Sequence, residues 1–421
     1  MERSTERSTG FVRAALREQT RIARIRPRAP LALIVRVTRW WAATVLRESG
    51  PQLITGGIIS LALTRLWRLP ARVAAAVRAL LALTVLWELR YVWLAHRSVA
   101  RIDAALADLE PASADEPRVP RSHLAIPPLM FFTRGVQRER GRVFAEVDGG
   151  RLRLDIYRNP ADRPGGAARP AVIQVHGGGW FAGSRYEQGI PLLNHLARIG
   201  WTGFNVDYRL SPEATFPDQI VDVKRAIAWV RGNAEELRID PGMICITGGS
   251  AGGHLTALAG LTENAPEYQP GFEDADTSLA AAVPFYGVYD MTNAGGFYYA
   301  GMRDWVLEQI VFKRRYDEDP ELFRSASPSF RIHADAPPFL VIHGERDTLV
   351  PVRDARDFVA RLRAASKRPV RYIELPGAEH AFDLWPSERT ARIAEGIGRF
   401  LTAIARRGHQ PEPALARPGI E

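Results

Sequence analysis

The stretch MICITGGSAGGHLTALAGL, residues 243–261, decides the fold. An apolar run over residues 243–246 leads into Gly248-Gly249-Ser250-Ala251-Gly252-Gly253, and a helical pattern over residues 254–261 follows. A serine between glycines on a sharp strand-to-helix turn is the arrangement of a nucleophile elbow. Glycines such as Gly248 and Gly252 allow a strained backbone and close neighbouring elements there. We therefore predict that Ser250 is a nucleophile. The alternative is a glycine-rich turn with an incidental serine.

Short apolar runs lie on both sides of this turn along the chain. They cover residues 171–175, 202–206, 281–285, 339–342 and 370–375, and helical patterns such as 220–231 and 354–365 separate them. Earlier in the chain, residues 142–147 and 152–157 alternate apolar and polar side chains around Gly149 and Gly150, which predicts an antiparallel hairpin. The order of elements predicts an α/β protein whose mostly parallel sheet is flanked by helices.

A second glycine-rich motif, His176-Gly177-Gly178-Gly179-Trp180, ends the run at 171–175. Backbone N–H groups placed there would stabilise the oxyanion of a tetrahedral intermediate. The natural donors are the N–H groups of Gly178, Gly179 and Ala251, and we interpret His176 and Gly177 as supporting residues. A phosphate-binding loop is the competing interpretation, but no Gly-Lys-Ser/Thr follows.

A base and an acid are expected after the nucleophile, in the order Ser, acid, His. Asp347 lies in a loop just after the run at 339–342, and His380 follows the run at 370–375 in the same way. Carboxyl ends of parallel strands meet at one edge of a sheet, so both side chains are expected beside Ser250. A neutral imidazole there can take the serine proton, and the carboxylate fixes its tautomer.

Other residues could fill these two roles. His254 and His343 are alternative bases, and Asp290, Glu345 and Asp383 are alternative acids. His254 lies inside the helix that follows Ser250, and His343 precedes the predicted acid. Asp290, which follows the run at 281–285, is the strongest rival to Asp347.

With these residues the chain resembles the hormone-sensitive-lipase-like branch of the α/β hydrolases, which includes bacterial carboxylesterases. The resemblance covers about residues 140–405 and four motifs in order, HGGGW, DYRLSPE at 207–213, GGSAGG and DTLVP at 347–351. It implies an α/β-hydrolase fold and a serine carboxylesterase or lipase with no metal and no organic cofactor. We expect a small-molecule or lipid ester as substrate, either one with a short-to-medium acyl chain or a lipid-like ester.

One position departs from that branch, because many members carry Asp where this chain has Gly249. Elbows of the GGSAG type also resemble those of prenylcysteine methylesterases and bacterial kynurenine formamidases. An amidase or formamidase with the same three residues therefore stays open as an alternative function. A catalytically inert, membrane-tethered binding module is the alternative from another class.

Residues 290–329 form a long insertion that contains several aromatic side chains, namely Phe297, Tyr298, Tyr299, Trp305 and Phe312. They are expected either to wall the acyl pocket or to pack in the core. Cys245, the only cysteine, lies in an apolar run and is expected to be a buried structural thiol, without disulfide or metal-thiolate chemistry.

The net charge of +9 comes from the N-terminal part of the chain. Residues 1–100 contain 17 Arg and five acidic residues, and the other 321 residues have a slight net negative charge. This distribution argues against nucleic acid as a partner of the main domain.

The N-terminal hundred residues contain three apolar patches, at 31–46, 52–64 and 79–87, each bounded or interrupted by Arg. None is a clear membrane span, because the longest uncharged stretch, 49–64, has 16 residues. We expect membrane contact through residues 29–95, as short spans or interfacial helices, or else packing on the catalytic domain. The resemblance extends to the N-terminal extension of some actinobacterial membrane-associated esterases.

The expected domain organisation has four parts. Residues 1–110 form a basic, apolar helical segment, 111–139 a linker and cap-like region, 140–406 the catalytic domain, and 407–421 a disordered tail. No clear cleavable signal peptide is present. We expect a membrane-associated protein, with a cytoplasmic location as the alternative, and the sequence leaves the oligomeric state open.

Overall fold

The structure is a computed structural model of the chain. It describes residues 31–48, 60, 70–111, 116–120, 133–160, 167–299, 301–385 and 387–408. The apolar patch at 52–64, apart from Ser60, lies outside the described residues. So do parts of the predicted linker and the tail beyond residue 408.

Eight strands form one sheet in the order β1-β2-β4-β3-β5-β6-β7-β8. Pairing is antiparallel for β1 with β2 and for β2 with β4, and parallel for the remaining pairs. The strands are β1 (Gln137–Val147), β2 (Gly150–Arg158), β3 (Arg169–Val175), β4 (Thr202–Val206), β5 (Ile239–Gly249), β6 (Ala281–Phe285), β7 (Phe339–Gly344) and β8 (Val370–Leu375).

The described α-helices flank this sheet or precede it in the chain. They are α1 (Leu31–Glu48), α2 (Ala71–Ala105), α3 (Ile190–Arg198), α4 (Asp218–Gly232), α5 (Ala234–Leu237), α6 (Ala251–Leu261), α7 (Pro320–Ser325), α8 (Val352–Ala365) and α9 (Glu388–Gly408). A π-helix covers Met302–Val311. This arrangement confirms the predicted α/β-hydrolase fold.

Two apolar clusters explain why the central strands are continuous apolar runs. Side chains of α4, α6 and α8 pack on one face of the sheet, and those of α2, α3 and α9 pack on the other. Successive residues of a strand point to opposite faces of the sheet, so Ile244 of β5 belongs to one cluster and Cys245 to the other. A strand covered on both faces favours apolar residues at every position, which is the pattern in β6, whereas β4 also buries Thr202 and Asn205.

Several elements are longer than the sequence pattern predicted. β1 begins at Gln137 instead of residue 142, and β5 begins at Ile239 instead of residue 243. Register shifts at Glu139/Arg142 and Val143/Ala145 interrupt the alternation in β1, which hid its first half from a period-two search. The helix after Ser250 begins at Ala251, so Gly252 and Gly253 of the motif are already helical.

The strand order reverses between β3 and β5, since β4 lies on one side of β3 and β5 on the other. In open α/β sheets, ligands bind outside the carboxyl ends of the strands at such a reversal. The HGGGW motif follows β3 and Ser250 follows β5, so both predicted site motifs lie at this point.

The two N-terminal helices lie against the hydrolase domain. α2 packs against α9 and β8, and α1 packs against α2. Residue Ile102 of α2 is 3% exposed and belongs to one of the two main apolar clusters. Within the described parts of the chain, no helix is both long and apolar enough to cross a membrane.

Candidate active site

Ser250 lies at the turn between β5 and α6. Its backbone has φ 58° and ψ −119°, a strained conformation for a residue with a Cβ. The Ser250 N–H donates to the carbonyl of Phe285 at 3.0 Å, and the His254 N–H donates to the Ser250 carbonyl at 2.9 Å. These bonds hold the strained turn from both sides, and the Ser250 side chain stays only half-buried.

The glycines around Ser250 are required by close backbone approach. A Cβ on Gly252 would lie 2.2 Å from the carbonyl oxygen of Val175 and 2.6 Å from that of His176. A Cβ on Gly248 would lie 2.5 Å from the same Val175 oxygen. The elbow therefore packs directly on the end of β3, as the sequence motif predicted.

The loop after β3 presents backbone N–H groups beside the elbow. Gly178 has φ 115°, and a Cβ there would lie 2.0 Å from the carbonyl oxygen of Ala182. The N–H of Gly177 donates to Gln188 Oε1 at 2.5 Å. In contrast, the N–H groups of Gly178, Gly179 and Ala251 have no acceptor among the described residues. These three donors are the ones proposed from the sequence.

His176 and Trp180 support this loop from the inside. The His176 ring stacks on the Tyr208 ring with centroids 4.3 Å apart, and the Tyr208 hydroxyl donates to the His176 carbonyl at 3.1 Å. Trp180 Nε1 donates to His254 Nδ1 at 3.1 Å. Tyr208 belongs to the DYRLSPE motif, so that motif contributes to positioning the glycine loop.

The structure brings the three predicted catalytic side chains together. His380 Nε2 lies 2.8 Å from Ser250 Oγ, and His380 Nδ1 lies 2.6 Å from Asp347 Oδ2. The His380 and Asp347 side chains are 4% and 0% exposed. Because a carboxylate only accepts hydrogen bonds, Nδ1 carries the proton and Nε2 is left to accept from the serine hydroxyl.

Asp347 is held as a carboxylate despite its burial. Its Oδ1 accepts from the N–H groups of Leu349 and Val350 at 2.9 and 2.7 Å. Burial alone would raise the pKa of Asp347, but His380 and the hydrogen bonds from His343 and His380 outweigh it and lower this pKa to about 2. The acid position therefore carries a full negative charge at neutral pH.

The alternative bases make other contacts. His254 is fully buried, and its Nε2 donates to the carbonyl of Ala326 at 2.7 Å while Nδ1 accepts from Trp180. His343 Nε2 lies 2.9 Å from the carbonyl oxygen of Val350 and 3.2 Å from Asp347 Oδ2. The hydrogen-bonding contact with Ser250 Oγ is made by His380.

The alternative acids are also engaged elsewhere. Asp290 closes its own turn by accepting from the N–H groups of Thr292 and Ala294, both at 2.9 Å. Glu345 accepts from the N–H of Gly377 at 2.8 Å. Asp383 accepts from the Tyr286 hydroxyl, and burial raises the pKa of Asp383.

The position of Gly249 is explained by the Tyr286 ring. A Cβ on Gly249 would lie 2.6 Å from the Tyr286 hydroxyl and 2.9 Å from the ring. Tyr286 also lies beside the imidazole of His380, with centroids 4.6 Å apart. The space beside Gly249 is thus filled by Tyr286, whose hydroxyl donates to Asp383.

Sequence reasoning missed the contacts that α1 makes with the site. Trp40 Nε1 donates to the carbonyl of His380 at 2.9 Å, and Arg36 Nη1 donates to the carbonyl of Thr348 at 2.8 Å. The available signal was a four-residue spacing of side chains that can form hydrogen bonds along one face of the helix, namely Arg36, Trp40, Thr44 and Glu48.

Glu379 was also missed, although it links the loops of the proposed acid and base. Its Oε1 accepts from the Thr348 N–H at 2.6 Å and from the Thr348 hydroxyl at 2.9 Å. The sequence signal was its place directly before His380. This contact joins the residue after Asp347 to the residue before His380.

The aromatic residues of the 290–329 insertion divide between two roles. Trp305 and Phe312 are 7% and 3% exposed and belong to the main core. Tyr299 is only partly buried, and the Arg36 guanidinium lies 4.0 Å from its ring centroid. Burial raises the pKa of Tyr299, with Arg36 acting against the rise and Asp347 adding to it. Tyr299 thus lies near the site.

Comparisons with known proteins agree with this fold. A family model described as BD-FAE matches residues 154–362. The chain is 49% identical over 268 residues to the probable carboxylic ester hydrolase LipM of Mycobacterium tuberculosis, covering 63% of this chain and 62% of LipM. The chain therefore spans about three fifths of the length of this curated relative.

Two solved structures extend the likeness. A truncated carbohydrate esterase from gut microbiota has a TM-score of 0.55 and 26% identity, covering 64% of this chain and 96% of that one. The butyrate-bound esterase Est2 of Thermogutta terrifontis has a TM-score of 0.50 and 30% identity, covering 61% of this chain and 87% of that one. Both are similar to this chain over its hydrolase domain.

Proposed function

We propose that this chain, which belongs to the α/β hydrolases, is a carboxylic-ester hydrolase that works through an acyl-enzyme on Ser250. The proposal rests on two hydrogen bonds. Ser250 Oγ lies 2.8 Å from His380 Nε2, and His380 Nδ1 lies 2.6 Å from Asp347 Oδ2. The names of the similar proteins, all described as esterases or ester hydrolases, support the ester as substrate class.

In the first half of the reaction, Ser250 Oγ attacks the acyl carbon and its proton passes to His380 Nε2. Asp347, already negative, stabilises the imidazolium that forms. The new oxyanion accepts from the N–H groups of Gly178, Gly179 and Ala251. Donors of this kind contribute about 3 kcal/mol each to transition-state stabilisation. The imidazolium then returns its proton to the leaving alcohol.

In the second half, water takes the place of the alcohol. His380 Nε2 accepts a proton from this water, whose oxygen attacks the acyl carbon of the ester on Ser250. The same N–H groups stabilise the second oxyanion, and the proton on His380 returns to Ser250 Oγ as the acid leaves. Apart from the ester and the attacking water, these steps use only side chains and backbone groups of this chain.

The test is a comparison of wild type with Ser250→Ala on p-nitrophenyl esters from acetate to palmitate, with aryl amides alongside. We expect the variant to lose at least about 10³-fold in kcat, because it removes the nucleophile. A phosphonate inhibitor should label wild type with one equivalent and the variant with none. The chain-length profile would rank short-chain esters against lipid-like ones.

Three results would overturn this proposal. Retention of the wild-type rate by Ser250→Ala would remove Ser250 from the reaction. Faster cleavage of the aryl amides than of the esters would favour the amidase or formamidase alternative, which uses the same three residues. A protein unreactive toward the phosphonate would instead favour the inert binding module.

We also propose that the outer faces of the N-terminal helices dock on a membrane surface, with a cytoplasmic location as the alternative. An ordinary surface helix buries apolar side chains and exposes polar ones. In α2, the polar residues Glu88 and Ser98 are buried, while the apolar Leu80 is 67% exposed. The exposed apolar residues of α2, here called the docking face, include Leu80, Leu83, Leu86, Trp87 and Trp93.

Charge complementarity favours an anionic lipid surface over a protein partner. The arginines of α2 at 72, 78, 90 and 97 are exposed beside the docking face. Helices with exposed apolar side chains and flanking arginines lie in the headgroup region of anionic bilayers. A protein held in this way would reach lipid-like esters, which fits the proposed substrate class.

Flotation of the full-length protein with phosphatidylglycerol-containing vesicles tests the docking face. We expect the wild type to float and Leu83→Ser/Leu86→Ser/Trp87→Ser to remain behind, with equal rates on soluble p-nitrophenyl acetate. If wild type stays entirely in the lipid-free fraction without detergent, the membrane proposal is wrong and a cytoplasmic location is favoured.

A further inference from the structure

Helix α1 contacts both loops that carry the proposed acid and base. The residues that make these contacts are four apart, so they lie on one face of the helix. Arg36 donates to the Thr348 carbonyl at 2.8 Å, Trp40 to the His380 carbonyl at 2.9 Å, and Thr44 to the same carbonyl at 3.3 Å. One turn further on, Glu48 pairs with Arg389.

The His380 carbonyl depends on this helix for its hydrogen bonds. Among the described residues, its main donor is Trp40 Nε1 at 2.9 Å. The single hydroxyl proton of Thr44 is shared between the Trp40 carbonyl at 3.0 Å and the His380 carbonyl at 3.3 Å. The next residue, Ala381, has φ 56°, in the left-handed region that an alanine rarely adopts. A left-handed turn directly after the proposed base is therefore held by donors from a helix more than 300 residues away in the sequence.

The Trp40 side chain is also placed against the imidazole itself. The Trp40 and His380 rings meet edge-on, with centroids 6.0 Å apart and an interplanar angle of 72°. Tyr286 lies near the same imidazole, with centroids 4.6 Å apart. The imidazole thus has aromatic neighbours from α1 and from the end of β6 while it bridges Ser250 and Asp347.

The far end of α1 reaches the start of the His380 loop. The buried Arg389 guanidinium pairs with Glu48, and its Nη2 donates to the Pro376 carbonyl at 3.1 Å. Its Nε donates to Ser98 Oγ of α2 at 3.2 Å. Residues 376–380 are therefore held at His380 directly by α1, and at Pro376 by Arg389 of α9, which itself pairs with Glu48 of α1.

We infer that Trp40 of α1 is a positioning residue that holds His380 between Ser250 and Asp347. This inference rests on the proposed function, because it takes His380 to be the base. A shift of about 1 Å in a reacting group can lower a rate by about 100-fold. The hydrogen bond from Trp40, with the weaker contact from Thr44, opposes such a shift in the loop.

The first test compares Trp40→Phe with Trp41→Phe in the full-length protein, on p-nitrophenyl butyrate. Trp40→Phe keeps an aromatic ring but removes the N–H donor, whereas Trp41 is 59% exposed and serves as the matched control. We expect Trp40→Phe to lower kcat about tenfold with KM within twofold, and Trp41→Phe to keep both constants. Phosphonate titration sets the active-site concentration for each protein.

The second test uses the neighbouring donor, so that the inference stays testable if Trp40→Phe folds poorly. Thr44→Val removes the hydroxyl at nearly constant volume, and Thr44→Ser keeps it. We expect kcat to fall about threefold in Thr44→Val and to return to the wild-type value in Thr44→Ser. A purely structural role of Thr44 would change the melting temperature without this rescue of kcat.

Wild-type kcat per titrated site in both Trp40→Phe and Thr44→Val would overturn the inference, whatever their melting temperatures. Failure of the proposed function looks different, because it would show as full ester hydrolysis by Ser250→Ala or as no phosphonate labelling of wild type. The two failures are therefore distinguishable.

Discussion

Nδ1 of His380 lies 2.6 Å from Oδ2 of Asp347, and both side chains are almost completely withdrawn from water. A buried imidazole beside a buried carboxylate is held in one tautomer and one orientation. The pKa of Asp347, lowered to about 2, keeps the carboxylate charged throughout the neutral range. The proton on Nδ1 therefore stays in place while Nε2 exchanges protons with Ser250.

Asp347→Asn tests the charge of this pair without changing its size. An amide in this position can present its NH₂ to His380, which would force the wrong tautomer, so we expect kcat to fall by about 10³ to 10⁴. KM should change little. Steady-state kinetics on p-nitrophenyl butyrate measures both constants.

Asp290→Asn is the matched control for that substitution, because Asp290 is the rival acid and accepts only within its own turn. It should retain kcat within about threefold. A large loss in Asp290→Asn combined with a small loss in Asp347→Asn would exchange the roles of the two residues.

Gly249 and Gly252 should respond differently to alanine. The new Cβ at 249 would meet the Tyr286 side chain at 2.6 Å, whereas the one at 252 would meet backbone oxygens of Val175 and His176. Both variants should be destabilised, but only Gly249→Ala should regain stability when Tyr286→Leu is added. Urea unfolding of the single and double variants measures the coupling free energy.

The matched double variant Gly252→Ala/Tyr286→Leu shows whether the effect is local. It should show no positive coupling, because truncating Tyr286 leaves the backbone clash at residue 252 in place. Equal coupling in both double variants would contradict the explanation of Gly249 by the Tyr286 ring.

The fold and the elbow could be predicted because their signals are local. Each buried strand is an apolar run, and Ser250, Asp347 and His380 each follow such a run within a few residues. The carboxyl ends of parallel strands then meet without any long-range information. The fold was confirmed on this basis, and the structure brings the predicted site residues together.

The contacts of α1 could not be predicted in the same way. The bond from Trp40 to His380 joins residues 340 positions apart, and nothing near Trp40 indicates which surface it will meet. From the sequence, the apolar patch at 31–46 predicted only membrane contact or packing on the catalytic domain. In the structure, Leu31 of α1 is 75% exposed. The first half of β1 was hidden for another reason, since its bulges break the alternation that a strand search relies on.

His254 should make the protein sensitive to acid. Burial lowers the pKa of His254 to about 4, despite the opposing hydrogen bond to Ala326. The folded state binds this proton more weakly than the unfolded state, so the associated stability is complete above about pH 6.5. It is lost as pH falls toward about 4, by roughly 3 kcal/mol. Urea unfolding of wild type and His254→Asn between pH 7 and 4 measures this difference.

His195 provides a control for the catalytic effect of His254. It is also buried with a pKa lowered to about 4, and its ring nitrogens have no partner among the described residues. His254→Leu removes the acceptor for Trp180 Nε1 and should lower kcat about tenfold by loosening the HGGGW loop. His195→Leu should leave kcat at pH 7 unchanged. Equal kcat losses in the two variants would contradict a specific role for the Trp180 contact.

Replacing only one residue of the buried Glu48–Arg389 ion pair should lower the free energy of unfolding strongly. Both side chains are 1% exposed, and the guanidinium also binds Ser98 and the Pro376 carbonyl. Glu48→Met leaves a buried cation without its counter-ion, so we expect a loss of about 3 to 5 kcal/mol in the free energy of unfolding. Arg389→Met should destabilise the protein by a similar amount.

The double variant Glu48→Met/Arg389→Met distinguishes the effect of the ion pair on stability from the effect of the Pro376 hydrogen bond on kcat. Apolar residues of similar volume often replace a buried ion pair with little loss of stability, so its free energy of unfolding should return close to that of wild type. Its kcat should nevertheless stay below wild type, because the Pro376 carbonyl has lost its donor and the His380 loop is free to shift at that end. Urea unfolding and kinetics on one preparation give both quantities. Recovery of kcat together with stability would mean that Trp40 and Thr44 alone hold the loop.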